Sequence, residues 1–471
     1  MAPNVEQSEF FEKKRLGGIL IVKDPPKFDL DSYISNYEGF TRLDRLHYIG
    51  SSSIYLAVEA YRSAITEAKR GKNVELYQTL VKELATISPS DPAAFPDEAW
   101  VEKKTRDVKE ELDRLDHELK SYKNNLIKES IRMGNEDMGH FYFACGDYTE
   151  AHKSYYRMRE HCTSAKHLAN MTLRLVYVSI AQKAWMSVQA HLAKVDATQL
   201  RLEERTKLDP ILSAVCGLAH MCVGNLRDAA TQFISTASLY LTTEPAGGIF
   251  WQREVLSGND IAVYGGLCAL ATMDRSELHH NVLGSSEFRN FLELEPHIRR
   301  AITLFCNSKY SACLEILEEY RADYLLDVYL SKVLAIIYGR VRTESIVQYF
   351  IPFSCVTLDE MATKFHLTGE YATIEDELES LINNGTLNAR IDLVDRLLVS
   401  PPTNPRYDVH TDALAMAETY DHTLRLRLTR LSMLAAGMEV RPEKGQHKDM
   451  SSGGHDGFAG TMKSLGHKMG F

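Results

Sequence analysis

The sequence predicts a mainly α-helical chain: a right-handed solenoid of helical repeats, then a winged helix, then one long terminal helix. Three observations carry this. Paired segments of helical apolar period recur through the middle of the chain. From Arg342 to Ser400 the order is helix, extended piece, helix, helix and two alternating runs. Beyond Pro405, apolar residues return every three or four positions on a final helix.

Residues 1–27 carry Gly17-Gly18, Pro25-Pro26 and mixed charge without a long periodic face, and a flexible leader is expected there. An N-terminal helical segment over 28–88 follows. Tyr33, Ile34, Tyr37, Phe40, Leu43, Leu46 and Ile49 recur at helical spacing, and further helices are expected over Leu56–Lys69 and Val74–Ile87. The prolines at 89, 92 and 96 make 89–99 an expected linker.

Residues 100–340 read as helical repeats. The first long helix has an apolar stripe at Val108, Leu112, Leu115, Leu119, Tyr122 and Leu126 on a densely charged background, the pattern of a helix packed on its neighbours. Gly146-Asp-Tyr-Thr-Glu-Ala151 and Gly224-Asn-Leu-Arg-Asp-Ala229 then share a turn-and-small-residue pattern. Lys183-Ala-Trp-Met-Ser-Val188 lies between them, at offsets of 37 and 41 residues (183 − 146 and 224 − 183). Lys309-Tyr-Ser-Ala-Cys313 is a degenerate later copy. Paired helices at this period are tetratricopeptide-like units, each burying its face on the next. Such an arm presents surface and performs no chemistry of itself.

The winged helix is expected over 341–400. Ser345–Phe350 ends at Pro352, which cannot continue a helix, and Ser354-Cys-Val-Thr357 is extended. Leu358, Met361, Ala362 and Phe365 make one helical face; Thr373 caps the next helix, Ile374 to Asn383, which Asn384-Gly385 ends. Leu387–Ile391 and Arg396–Val399 form the wing around a polar turn at Asp392–Asp395. Winged helices that read DNA need cations on the second helix, and here that helix begins Ile374-Glu-Asp-Glu-Leu-Glu379. From Ser345 to Ser400 there are 3 basic and 9 acidic residues, so 3 − 9 = −6. A phosphate backbone is repelled by such a surface, which disfavours a nucleic-acid partner.

The last helix, 408–438, carries Leu414, Ala417, Leu424, Leu428, Leu431 and Ala435 on one stripe, interrupted by Asp421. The stripe fits either a bundle with partner helices or packing back onto the winged helix. Residues 439–471 hold few large apolar side chains, and a flexible tail is expected. Its histidines, 447, 455 and 467, are too widely spaced to suggest a metal.

Over 471 residues the hydrophobic content of 44% and charged content of 25% are ordinary for a globular protein. The formal charge of −10 argues against nucleic-acid and anionic-membrane roles for the chain as a whole. No run of 18 apolar residues occurs, and the opening Met-Ala-Pro-Asn-Val-Glu-Gln has no targeting pattern, so a soluble intracellular protein is expected. Eight scattered cysteines form no CxxC pair and read as buried thiols in a reducing compartment. The sequence holds no GxxxxGK[ST], HExxH, GxSxG or strand-linked GxGxxG, nor the His-x-His with distant Asp of zinc isopeptidases. Adjacent His279-His280 point to different helix faces, and Cys162 beside His161 makes no facing pair. No catalytic, cofactor or metal residues are assigned, and a scaffold is the expectation.

A repeat arm followed by a winged helix resembles the PCI-domain proteins of the proteasome lid, the signalosome and a translation-initiation factor. Several segments are similar, closer still, to the first-subunit family of the COP-nine signalosome: Asn125–Gly134, Cys145–Tyr148, Arg159–His167, Asn259–Thr272, Phe291–Pro296, Ser308–Tyr310, Leu325–Leu330 and Gln348–Phe350, in that order. The resemblance spans roughly Phe28 to Met438, and the leader and tail are its least matched parts. It implies a PCI domain that takes in helices from about residue 260, and no catalysis in this subunit. The role implied is assembly, in a complex of cytoplasm and nucleus that removes the ubiquitin-like Nedd from cullin-based ubiquitin ligases. The partners implied are other PCI subunits, joined through winged-helix edges and a terminal helix bundle, and indirectly the cullin ligases, with no membrane and no nucleic acid. The interface residues expected are Ser354, Cys355, Val356 and Thr357 as a strand edge, and Leu414, Leu424, Leu428 and Leu431 as bundle contacts. A lid subunit is the alternative within the same architecture, and a nucleic-acid-binding winged helix the alternative outside it.

Overall fold

The computed structural model describes residues 5–365, 373–401 and 405–438, and the chain divides into two units, Met1–Val399 and Ser400–Phe471. The expected tail, with His447, His455 and His467, lies outside the described residues.

Part of the expected leader is an element of the N-terminal core. Helix α1 (Val5–Leu16) precedes α2 (Leu30–Ser35), α3 (Gly39–Ser52), α4 (Ala57–Arg70) and α5 (Val74–Ile87). Phe11 and Val22 are buried in one apolar cluster with Leu46, Ile49, Tyr61 and Leu80. One carboxylate ties these helices together. Glu83 of α5 accepts from Lys14 of α1 at 2.6 Å and from the Tyr61 hydroxyl of α4 at 2.8 Å, and lies 2.8 Å from His47 Nε2 of α3. Burial pushes the Glu83 carboxyl up, but hydrogen bonds from His47 and Lys14, with the His47 charge and the Tyr61 hydroxyl, outweigh it and bring it down to about 2. The folded value lies below the ordinary 4.5, so this contribution to stability is full above that pH and is lost as pH falls through about 2. Glu83→Gln is expected to flatten that acid limb and to lower stability by about 1–3 kcal/mol, as read by thermal melts from neutral pH into the acid range.

The proline-rich stretch 89–99 is a packed turn, not a free linker. Asp91 accepts from Arg62 Nε at 2.6 Å and from the Ala93 N–H at 3.0 Å, Ala94 is buried, and the Asp97 N–H donates to the Tyr77 hydroxyl at 3.1 Å.

The repeats begin with α6 (Glu98–Asn124), α7 (Lys128–Cys145), α8 (Tyr148–Arg157), α9 (Ala165–Ala181), α10 (Trp185–Asp196), α11 (Leu202–Val223) and α12 (Leu226–Ser235). They continue through α13 (Trp251–Glu254), α14 (Gly258–Leu270), α15 (Arg275–Glu277), α16 (Ser286–Leu292), α17 (Pro296–Cys306), α18 (Tyr310–Glu319) and α19 (Arg321–Leu325). On α6, Leu119 is buried and Leu112, Leu115 and Tyr122 are half-buried. Leu126 does not extend that stripe: the helix has ended, φ is 55°, and the side chain is exposed.

The same turn closes the first helix of four hairpins, at Gly146, Lys183, Gly224 and Ser308, with φ of 90°, 58°, 99° and 59°. Each of these residues donates its N–H to the carbonyl three positions back, and the next residue donates to the carbonyl five back. The pairs run from Gly146→Phe143 and Asp147→Tyr142 to Ser308→Phe305 and Lys309→Leu304. This is the Schellman C-cap, and it is why the sequence pattern recurs. Glycine takes this φ freely, whereas lysine and serine are strained there by roughly 1 kcal/mol. Ser308→Gly is therefore expected to stabilise the chain by about 0.5–1 kcal/mol, seen as a higher urea midpoint.

Side-chain size is matched within the hairpins as well. Seven residues before the left-handed position stand Gly139, Val176, Gly217 and Ala301; nine residues after it stand Tyr155, Leu192, Phe233 and Leu317. All are buried. Aromatic rings occur where the partner is glycine: a Cβ on Gly139 would lie 2.4 Å from Tyr155 Cε1, and one on Gly217 2.9 Å from Phe233 Cδ1.

The winged helix consists of α20 (Leu334–Phe350), β1 (Cys355–Thr357), α21 (Leu358–Lys364), α22 (Ile374–Asn383), β2 (Arg390–Asp392) and β3 (Leu397–Val399). The Thr373 hydroxyl accepts the Asp376 N–H at 3.3 Å, and Gly385 takes a φ of 71° after α22. The winged helix has no separate core. One apolar cluster runs from Leu173 of α9 to Leu398 of β3. Arg342 of α20 adds a buried two-pronged ion pair to Glu377 of α22, at 2.6 and 2.9 Å. Glu377 is thus an internal charge, and the surface of α22 is less acidic than a residue count implies. In the second unit, α23 (Pro405–Ala435) is a single continuous helix. No helix among the described residues is long and apolar enough to cross a membrane.

Candidate assembly interface

The three strands form an antiparallel sheet in the order β1-β3-β2, with Val356 opposite Leu398 and Ile391 opposite the same residue on the other side. Both β1 and β2 are therefore outer strands, and a row of backbone donors and acceptors on each faces away from the sheet. The four expected edge residues divide by role. Ser354 and Cys355 are exposed. Val356 is buried in the core, and Thr357 caps α21 by accepting the Glu360 N–H at 3.3 Å. The outer side of β1 offers backbone groups, flanked by the exposed Ile351 and Phe353.

The wing tip adds residues that sequence reasoning missed. The Asp392 carboxylate accepts the N–H groups of Val394 at 2.9 Å and Asp395 at 3.3 Å, which folds the turn and pushes out Leu393 and Val394, 74% and 91% exposed. An adjacent apolar pair inside a polar turn was the available signal. Arg396, at φ 53°, leaves the turn and bridges Asp359 at 3.4 Å and Glu375 at 2.9 Å. Asp376 and Glu379 remain exposed on α22.

On α23, Leu414, Leu424, Leu428 and Leu431 are all exposed, and so are Val409, Met416 and Tyr420. The last three flank the heptad seam on one side, so the apolar arc is wider than a two-stranded coiled coil needs and suits a helix with several neighbours.

A buried polar constellation lies elsewhere, where α3 meets α14 and the segment after α19. Arg45, buried, donates to Asp260 at 2.9 Å and to Asp327 at 2.6 Å, and its guanidinium lies 4.1 Å from the Tyr37 ring centroid. Tyr37 donates to Asp260 and Tyr264 to Asp327, both at 2.7 Å, and Asp327 also accepts the N–H groups of Tyr329 and Leu330. Burial pushes the Asp260 carboxyl up despite Arg45. At Asp327 burial acts the same way, but Arg45, the Leu330 N–H and Tyr264 outweigh it and hold the carboxyl below its usual range. Apart from Arg45 Nε, which is buried without a hydrogen-bond partner among the described residues, the donors named here are used internally, so the cluster is a joint.

Burial, the largest influence on each, pushes up the thiols of Cys145, Cys162, Cys216, Cys222, Cys268, Cys306 and Cys313, the opposite of an activated nucleophile. Among the described residues no group of three or more His, Cys, Asp or Glu is placed to hold a metal ion.

A repeat arm whose core continues into a winged helix defines the PCI class, and the PCI domain family model matches residues 317–402. The model of 26S proteasome subunit RPN7 matches 97–281, the arm. The chain is 46% identical to COP9 signalosome complex subunit 1 of Emericella nidulans, over 95% of this chain and 91% of that one. To the protein of the same name from Neurospora crassa it is 41% identical, over 86% and 90%. The chain belongs to the family of COP9 signalosome subunit 1. The similarity to 26S proteasome non-ATPase regulatory subunit 6 of Oryza sativa is 25% and reaches only 38% of this chain.

Proposed function

We propose that the chain is a non-catalytic assembly subunit of the signalosome, supporting removal of Nedd from cullin-based ubiquitin ligases while another subunit supplies the chemistry. The observation that carries this is similarity at 46% identity over 95% of the chain. Two association elements agree with it. The outer strands of the winged helix, Ser354–Thr357 and the wing, pair with neighbouring PCI subunits through backbone edges. Leu414, Leu424, Leu428 and Leu431 enter a shared helix bundle. The arm remains free for other contacts, including indirect ones with cullin ligases, in cytoplasm and nucleus. The acidic surface of α22 speaks against a nucleic-acid partner.

A tagged pull-down from native extract with mass spectrometry of the co-purifying chains tests the proposal. The expected result is recovery of the other signalosome subunits, including a zinc isopeptidase. Recovery of proteasome lid chains instead would move the protein to the related complex. Tight binding of duplex DNA at moderate salt would overturn the scaffold reading.

A further inference from the structure

The proposed assembly role does not use a cavity of about 490 Å³ between the N-terminal helices and α14, α17 and α19. Its wall combines aromatic faces with carboxylates. The rings of His297 and Tyr320 stack 4.1 Å apart and 13° from parallel, and His297 Nε2 lies 2.9 Å from the Tyr324 hydroxyl. Beside them stand Asp323, which accepts the backbone N–H of Lys27 at 2.8 Å, and Glu295, which accepts the Asn259 amide at 2.6 Å. Three rings of this wall, Tyr320, Tyr37 and Tyr33, already carry cations. The Lys27 ammonium lies 4.5 Å from the Tyr320 centroid, and the Arg45 guanidinium covers Tyr37 from behind.

Charge and size select the class of ligand. Four carboxylates, Asp260, Asp327, Asp323 and Glu295, line the cavity; among the described residues the cations on its rings are Arg45, which pairs Asp260 and Asp327, and Lys27, and Glu295 also lies 3.2 Å from His297 Nδ1. Lys27 is also paired outward with Glu319. Helices α14 and α17 begin here, and their positive ends already have carboxylates beside them, Asp260 and Glu295, which disfavours an anion. The volume falls within the range of small-molecule pockets, about 300–1,000 Å³.

We propose that this cavity binds an organic cation, a guanidinium or alkylammonium group presented by a basic peptide or by a free small molecule, and that Lys27 is the intramolecular occupant of its mouth. The residues that recognise it are Tyr320 by its face and Asp323 and Glu295 by charge.

The test is isothermal titration of the full-length chain at low salt with three probes: a capped Gly-Arg-Gly peptide, its citrulline counterpart, and arginine amide. Binding of the arginine peptide is expected to exceed that of the citrulline peptide by at least about tenfold, since citrulline keeps the shape and loses the charge. Asp323→Asn and Tyr320→Ala should each weaken it by about tenfold, while Tyr320→Phe, which keeps the ring, should not. Lys27→Ala, on an exposed segment, should tighten binding severalfold by emptying the ring face. Equal affinity for peptide and arginine amide supports a small-molecule source, and tighter peptide binding supports a protein source. No binding of either arginine probe, equal binding of arginine and citrulline peptides, or weaker binding by Lys27→Ala would overturn the proposal.

Discussion

Arg45→Leu is expected to destabilise the Met1–Val399 unit by about 3–5 kcal/mol, the cost of leaving buried carboxylates without their cation. The reasoning rests on geometry. Asp260 and Asp327 both point at the one guanidinium, and among the described residues neither has another cation within ion-pair distance. Removing Arg45 leaves two largely buried negative charges facing each other. The companion variant separates charge from packing. Arg45→Leu combined with Asp260→Asn and Asp327→Asn should recover much of the loss, because an apolar or neutral replacement of a whole buried ion cluster is often tolerated. The pH dependence gives a second check. In Arg45→Leu the folded-state carboxyls lie above their unfolded values, so the penalty is full at neutral pH and shrinks as pH falls through them. Thermal melts should thus show the gap to wild type narrowing in acid. A gap that stays constant would assign the loss to packing alone.

Leu424→Asp with Leu428→Asp is expected to leave the isolated chain folded and remove it from the complex. Leu424 is 38% and Leu428 64% exposed, and substitutions at such positions change stability by about 0.5 kcal/mol or less. In a bundle the same two aspartates would fall on successive layers of an apolar seam, where each unpaired charge costs several kcal/mol. Circular dichroism and melting of the purified variant, beside its recovery with partner chains, separate the outcomes. A lowered melting point in the isolated chain would make the stripe internal core.

The features legible in the sequence are those set by neighbours in the chain. Gly146 and Gly224 announce their turns because a Schellman cap asks for a left-handed residue, and Thr373 announces α22 because a cap is local. The equivalent turns at Lys183 and Ser308 were fainter because neither residue is a glycine. Leu126 looked like one more residue of a stripe, since periodicity does not tell where a helix stops. The Arg45 cluster was invisible for a stronger reason: its partners lie 215 and 282 positions away, and a single arginine on an amphipathic helix has no local mark of burial. The same holds for α1, whose Phe11 becomes core only because helices much later in the chain supply the other walls. At the candidate interface, the extended piece Ser354–Thr357 was readable because Pro352 stops the helix before it. That Val356 points inward and Leu393 and Val394 stand out at the wing was not, because both depend on the register with β3.

The unbroken apolar cluster from Leu173 to Leu398, pinned by Arg342 and Glu377, has a mechanical meaning. A linker between arm and winged helix would make the arm a tether, free to swing whatever its anchor does. A shared interior makes it a lever. A small rotation imposed on the outer strands would be transmitted to the repeats without being absorbed, because close-packed side chains shear poorly. Occupancy at one end of such a body is therefore felt as a change of orientation at the other.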